Sequence, residues 1–207
     1  MRTDTYYAQT TEFTCGPACL MMAMKMLDPG YVLRREDEFS IWREANSIFM
    51  GDGHPGCAPH ALGLAAMNRG LDIQLWLWNT DDLFSDWTRK QSHKNIMLMM
   101  EGHDKSRAEK EGLSAENRRF GLSDLQLARK EGYVPIVLTA DGIEAHWMVI
   151  THMDTDTVYV HEPFIDVEEN QQLADCVNMP IAQKKFREMI RYGRRDAQAA
   201  ILVGLRR

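Results

Sequence analysis

Gln9 stands six residues before Cys15, and Cys15 opens the run Cys15-Gly16-Pro17-Ala18-Cys19-Leu20. A thiol is mostly protonated at neutral pH and only its thiolate attacks, so a nucleophilic cysteine needs its pKa lowered. A helix beginning at Cys15 would supply part of that through its dipole. The backbone N–H of Cys15 and the side-chain amide of Gln9 would together face the oxyanion that forms when a thiolate adds to a carbonyl. Gly16, with no side chain, is expected to let a substrate backbone come close.

Such a thiol also needs an imidazole, and the imidazole an orienting group. Of the seven histidines, His146 is the best placed. It begins the apolar run His146-Trp147-Met148-Val149-Ile150 after the loop Asp141–Ala145, which puts it at the end of a strand. Glu162 follows a second run, Val158-Tyr159-Val160-His161, and precedes Pro163. If the two runs are antiparallel neighbours joined by a turn, their far ends meet and Glu162 lies beside His146. Asp154, Asp156 and Asp166 are the fallback orienting groups. The candidate catalytic set is therefore Cys15, His146, Glu162 and Gln9.

These groups require a scaffold. Gly16 to Leu27 is apolar on nearly every face, the mark of a buried helix, with Pro17 in its first turn and Asp28-Pro29-Gly30 as its stop. Arg34 to Ile48 reads as a charged amphipathic helix, and Pro59 to Arg69 as a third helix ended by Gly70. Leu71 to Trp78 alternates as a strand, with Trp76 and Trp78 on the face expected to pack under a helix. A short helix is expected over Asp81–Lys90. The polar stretch His103–Gly121 reads as a loop with a helical piece, and Ser123 as the cap of a helix reaching Glu131. Strands are expected at Val134–Thr139, His146–His152, Val158–His161 and Ala199–Leu205, with a basic helix at Ala182–Arg191. Most of the methionines, many of them in Leu20–Leu27 and Ile96–Met100, are expected to fill core space.

The pieces Gln9-x5-Cys15-Gly16-Pro17-Ala18, His146-Trp147-Met148-Val149 and Val158-Tyr159-Val160-His161-Glu162-Pro163 resemble the bacteriocin-processing (double-glycine leader) peptidase family. Trp42-Arg43-Glu44-Ala45, Gly53-His54-x-Gly56-Cys57 and Leu62-x-Leu64-Ala65-Ala66 narrow the resemblance to a peptidase-like branch found alone or fused to an acetyltransferase domain in bacteria. The resemblance implies a papain-like fold with a Cys/His/Asp triad and an oxyanion glutamine. Carried over, Cys15 is the nucleophile, His146 the base and Gln9 the oxyanion donor. The family's Asp-Pro is Glu162-Pro163 here, so a side chain longer by one methylene must do the orienting. The Cys-to-His separation exceeds that of the exporter-linked peptidases, which implies inserted helices.

The expected fold is thus α+β and papain-like: a helical N-terminal half, with the buried cysteine-bearing helix, packed on a C-terminal antiparallel sheet. One domain over residues 1–207 is expected, with a helical insertion at roughly 31–130. The chain carries 24 Lys and Arg against 30 Asp and Glu, for a net charge of −6, with no basic face for nucleic acid. No apolar run approaches the roughly 20 residues that span a bilayer, and the first residues lack a signal-peptide pattern. The expected location is cytoplasmic.

Four cysteines in a chain of this length make no disulfide scaffold. His54-x2-Cys57-x2-His60 matches no common zinc spacing, and no cofactor or metal is expected. The expected partner is a peptide or protein substrate; nothing in the sequence sets the oligomeric state. Two rival readings share the residues: the same triad passing its acyl group to an amine, and a peptidase-like module that binds peptide without catalysis.

Overall fold

The computed structural model describes residues 4–46, 55–81, 83–84, 88–141, 144–193 and 195–206. Helix α1 (Cys15–Leu27) has every residue from Cys15 to Ala23 buried, as its apolar composition requires. It is followed by α2 (Arg35–Ala45), α3 (Pro59–Met67) and strand β1 (Leu71–Trp78). Next come α4 (Gln91–Lys110), β2 (Ala115–Asn117) and α5 (Leu122–Lys130). Three strands, β3 (Val134–Asp141), β4 (Glu144–Met153) and β5 (Thr157–His161), run in succession. The described chain closes with α6 (Leu173–Cys176), β6 (Met179–Ala182), α7 (Gln183–Met189) and β7 (Gln198–Leu205).

The strands form one seven-stranded sheet in the order β2-β1-β7-β3-β4-β5-β6. Every neighbouring pair is antiparallel except β1 and β2. Alternate side chains serve two cores. On one face Leu75, Leu138, Trp147 and Ile201 pack with Leu20, Met21 and Leu62 of α1 and α3. On the other, Val137, Met148, Val160 and Leu202 pack with Leu125 of α5 and Phe186 of α7. The molecule is a mixed α and β layered structure.

Several expectations need correction. The sheet is not confined to the second half of the chain, because β1 pairs with β7 along its whole length, from Leu71 opposite Leu205 to Trp78 opposite Gln198. The segment 31–130 therefore supplies sheet strands as well as helices. The helical piece expected within His103–Gly121 covers 103–110 and is the second half of the long helix α4, which begins at Gln91. That helix buries only Met97 and Ala108, so its polar faces hid it; the pair Arg107–Glu111 at 2.7 Å ties its last turn. Met99 and Met100 are exposed on α4, whereas Met21 and Met22 do fill the core.

Helix α5 is capped two residues earlier than expected, at Gly121, whose N–H donates to Asp124 at 2.8 Å. The expected helix over 81–90 falls partly outside the described residues, and Leu83 and Phe84 lie in turns. Trp76 and Trp78 carry the guanidinium groups of Arg118 and Arg119, at 4.4 and 5.2 Å from the ring centres.

Candidate active site

Cys15 occupies the first position of α1, where backbone N–H groups have no partner within the helix, and Thr14 provides no side-chain cap. The N–H of Cys15 thus points to whatever lies beyond the helix end. The thiol is buried, with the residue only 5% exposed.

His146 and Glu162 come together as the hairpin argument requires. Strands β4 and β5 pair antiparallel, with Val149 opposite His161, so the residues before Val149 and after His161 share one end of the sheet. Glu162 Oε1 lies 2.5 Å from Nε2 of His146. His146 is not at a strand terminus, however. The ladder between β3 and β4 extends to Asp141 opposite Glu144, which places His146 opposite Thr139 within the sheet; residues 142 and 143 lie outside the described residues. Thr139 adds a hydrogen bond from its hydroxyl to the carbonyl of His146 at 2.9 Å, so β3 holds the backbone under the imidazole through a side chain as well as through the ladder.

The electrostatics of His146 connect it to both partners. Burial works against its charge, but the negative charges of Cys15 and Glu162 and hydrogen bonds to each outweigh that and lift its pKa to about 10. Imidazole, thiol and carboxylate therefore form one coupled group, with Nε2 on the carboxylate and the opposite side of the ring left for the thiol. The fallback orienting groups are elsewhere. Asp154 Oδ1 accepts the N–H groups of Asp156 and Thr157 in the β4–β5 turn, and Asp166 Oδ1 accepts those of Glu168 and Glu169.

Gln9 is held on this side of the molecule: its backbone N–H donates to the carbonyl of Pro163 at 2.8 Å. One N–H of its side-chain amide donates to the Thr11 carbonyl at 2.7 Å, which fixes the amide's orientation, since a flip would bring two acceptors together. The second N–H remains available, and Oε1 is buried without a partner among the described residues.

The surrounding residues keep the three groups in register. The thiol of Cys19, one turn on from Cys15, donates to the Trp147 carbonyl at 3.2 Å, and burial pushes its pKa well up. Trp147 in turn donates its indole N–H to the Cys57 carbonyl at 3.1 Å. Gly16 has a different role from the one its position suggested. It is buried, and a Cβ there would meet Leu62 at 3.0 Å and Cys57 and Trp147 at 3.3 Å, so it lets α1 approach α3 and β4 rather than admitting substrate. His54 lies outside the described residues.

Behind the pair, His161 is fully buried. The N–H of Asn178 donates to its Nδ1 at 3.1 Å, so the ring proton sits on Nε2 and is given to the Thr5 hydroxyl at 3.0 Å. Tyr6 donates to the Glu162 carbonyl at 2.9 Å. These contacts tie residues 5–9 to residues 161–163. One participant escaped sequence reasoning: Glu38, on α2, is buried beneath the Gln9 segment. Its signal was present, because Glu38 falls in the stripe with Ile41 and Ala45 that forms the buried face of α2.

Among the described residues no helix is long and apolar enough to cross a membrane. No curated protein matches the chain. Against known protein families, the match runs from residue 5 to residue 204, which takes in Gln9, Cys15, His146 and Glu162 together, and the chain belongs to the Peptidase_C39 like family.

Proposed function

We propose that the chain is a papain-like cysteine peptidase that cleaves a peptide or amide bond through an acyl-thioester on Cys15. The observation that carries this reading is the 2.5 Å contact between His146 and Glu162, with the imidazole electrostatically coupled to a thiol at a helix start. Family membership supports a peptidase-like chemistry. In the proposed reaction Cys15 Sγ, as thiolate, bonds to the substrate carbonyl carbon. The carbonyl electron pair moves to oxygen, where the Cys15 N–H and the second N–H of Gln9 Nε2 receive it. Collapse expels the amine, which takes its proton from the His146 imidazolium. Water then attacks the thioester, losing its proton to His146, and collapse expels the Cys15 thiolate and releases the acid, which restores the thiolate and imidazolium. Glu162 keeps the imidazole turned toward sulfur and stabilises its charged form. The resemblance to double-glycine leader peptidases extends the proposal to a small residue, glycine first, before the scissile bond.

The test is chemical. Iodoacetamide applied to the folded protein, with site occupancy read by mass spectrometry, should label Cys15 ahead of Cys19, Cys57 and Cys176, and His146→Ala should abolish the preference. Peptides with glycine before the scissile bond should then yield new termini, and none with Cys15→Ala. Equal labelling of all four thiols, unchanged in His146→Ala, would overturn the reading.

A further inference from the structure

Glu38 carries no exposed surface, yet its hydrogen bonds among the described residues come from no cation. A buried carboxylate without a counter-charge is costly and persists only where donors are focused on it. Three such donors are here, and all belong to one short segment. The Tyr7 hydroxyl reaches Oε2 at 2.9 Å, the Thr10 hydroxyl reaches Oε2 at 2.9 Å, and the Thr10 N–H reaches Oε1 at 2.8 Å. Gln9 lies between the two anchored residues. On its other side the Gln9 N–H is bound to Pro163, next to Glu162. The segment is thus clamped between α2 and the residue pair that orients His146.

We infer that Glu38 is the positioning residue of the oxyanion site: it fixes residues 7–10 so that the free N–H of Gln9 faces the reacting carbonyl. This rests on the proposed role of Cys15 and deepens it. The clamp is built for rigidity rather than for proton transfer. It gathers two oxygens onto three donors, and Tyr7 is held protonated by its burial and by its bond to Glu38. Because α2 carries Glu38, the proposed insertion reaches the Gln9 segment through that carboxylate.

The decisive comparison is between two reactions of the same thiol. Alkylation by iodoacetamide builds no oxyanion, whereas acylation by a glycine p-nitrophenyl ester does. Glu38→Gln places an amide N–H among donors and should slow acylation by about 10²-fold, the scale of a lost oxyanion donor, while alkylation of Cys15 changes less than about 2-fold. Gln9→Ala should give the same pattern, and the double variant Gln9→Ala/Glu38→Gln no further loss. Tyr7→Phe, which removes one donor and keeps the carboxylate, should give a smaller loss in the same direction.

A readout independent of turnover is the side-chain amide resonance pair of Gln9 in an 15N-labelled protein, assigned by its disappearance in Gln9→Ala. That pair should shift or broaden in Glu38→Gln and in Tyr7→Phe. Unchanged Gln9 resonances and acylation, or equal loss of alkylation and acylation, would overturn the inference. A wild-type protein that is not acylated and shows no preference for Cys15 overturns the peptidase reading instead, and the Gln9 resonances still decide the role of Glu38.

Discussion

Oxygen Oε1 of Glu162 sits 2.5 Å from Nε2 of His146 and, at the same time, accepts the N–H of Phe164 at 2.8 Å. The carboxylate is therefore fixed by the backbone that follows it. Glu162→Gln keeps an acceptor but removes the charge that favours the imidazolium. Acylation by an activated ester should fall by about 10²-fold or more, and the pH profile of Cys15 alkylation should lose its plateau as the imidazolium deprotonates earlier. Glu162→Asp keeps the charge at a shorter reach and should retain more activity than Glu162→Gln. Equal activity in Glu162→Gln and wild type would remove Glu162 from the mechanism.

The raised pKa of His146 has a consequence for stability. Its folded pKa of about 10 lies above the ordinary value of 6.5, so the folded protein holds this proton more tightly than the unfolded chain does. The stabilisation is fully present below pH 6.5 and is lost as pH rises toward 10. Thermal unfolding of wild type and His146→Ala should differ in slope across that window, with wild type losing stability more steeply. Parallel curves would count against the coupled charge of the site.

His161 behaves in the opposite sense. Burial lowers its pKa from 6.5 to about 4, so the folded state disfavours the proton. Its stabilisation is present above pH 6.5 and lost as pH falls toward 4, on the order of 3 kcal/mol in all. Denaturant midpoints for wild type should drop through that range, and those of His161→Gln should drop less. The added proton must enter at Nδ1, so acid should break the bond from the Asn178 N–H while Nε2 keeps its bond to the Thr5 hydroxyl.

Gly16→Ala tests the packing of α1. The new methyl group would press on Leu62, Cys57 and Trp147 at 3.0–3.3 Å. Overpacking of this kind costs about 1–3 kcal/mol, and because Gly16 adjoins Cys15, acylation should fall with it. A fully stable Gly16→Ala protein with wild-type acylation would show that α1 can shift without cost.

Elements whose composition follows their surroundings were readable in the chain. From Cys15 to Ala23 helix α1 is buried on every side and apolar on every side, and β1 alternates over the residues 71–78 that form it. The expected hairpin places His146 beside Glu162, because a two-strand antiparallel unit is a local relation. What escaped was non-local or masked by polarity. Nothing local in residues 198–205 says that they lie between β1 and β3. The second half of α4 has scarcely any apolar face to reveal it. Glu38 was read as one more charge on a charged helix, and only its register with Ile41 and Ala45 distinguishes it.

Strand β7, residues 198–205, lies between β1 and β3, and its pairing with β1 is the longest-range ladder in the sheet. On a ribosome, β1 emerges well before the strand that must join it to β3. The two sides of the sheet cannot be united before then. A nascent chain of this protein would thus hold β1 and the β3–β4–β5 ladder as two separate pieces of sheet until β7 arrives to join them.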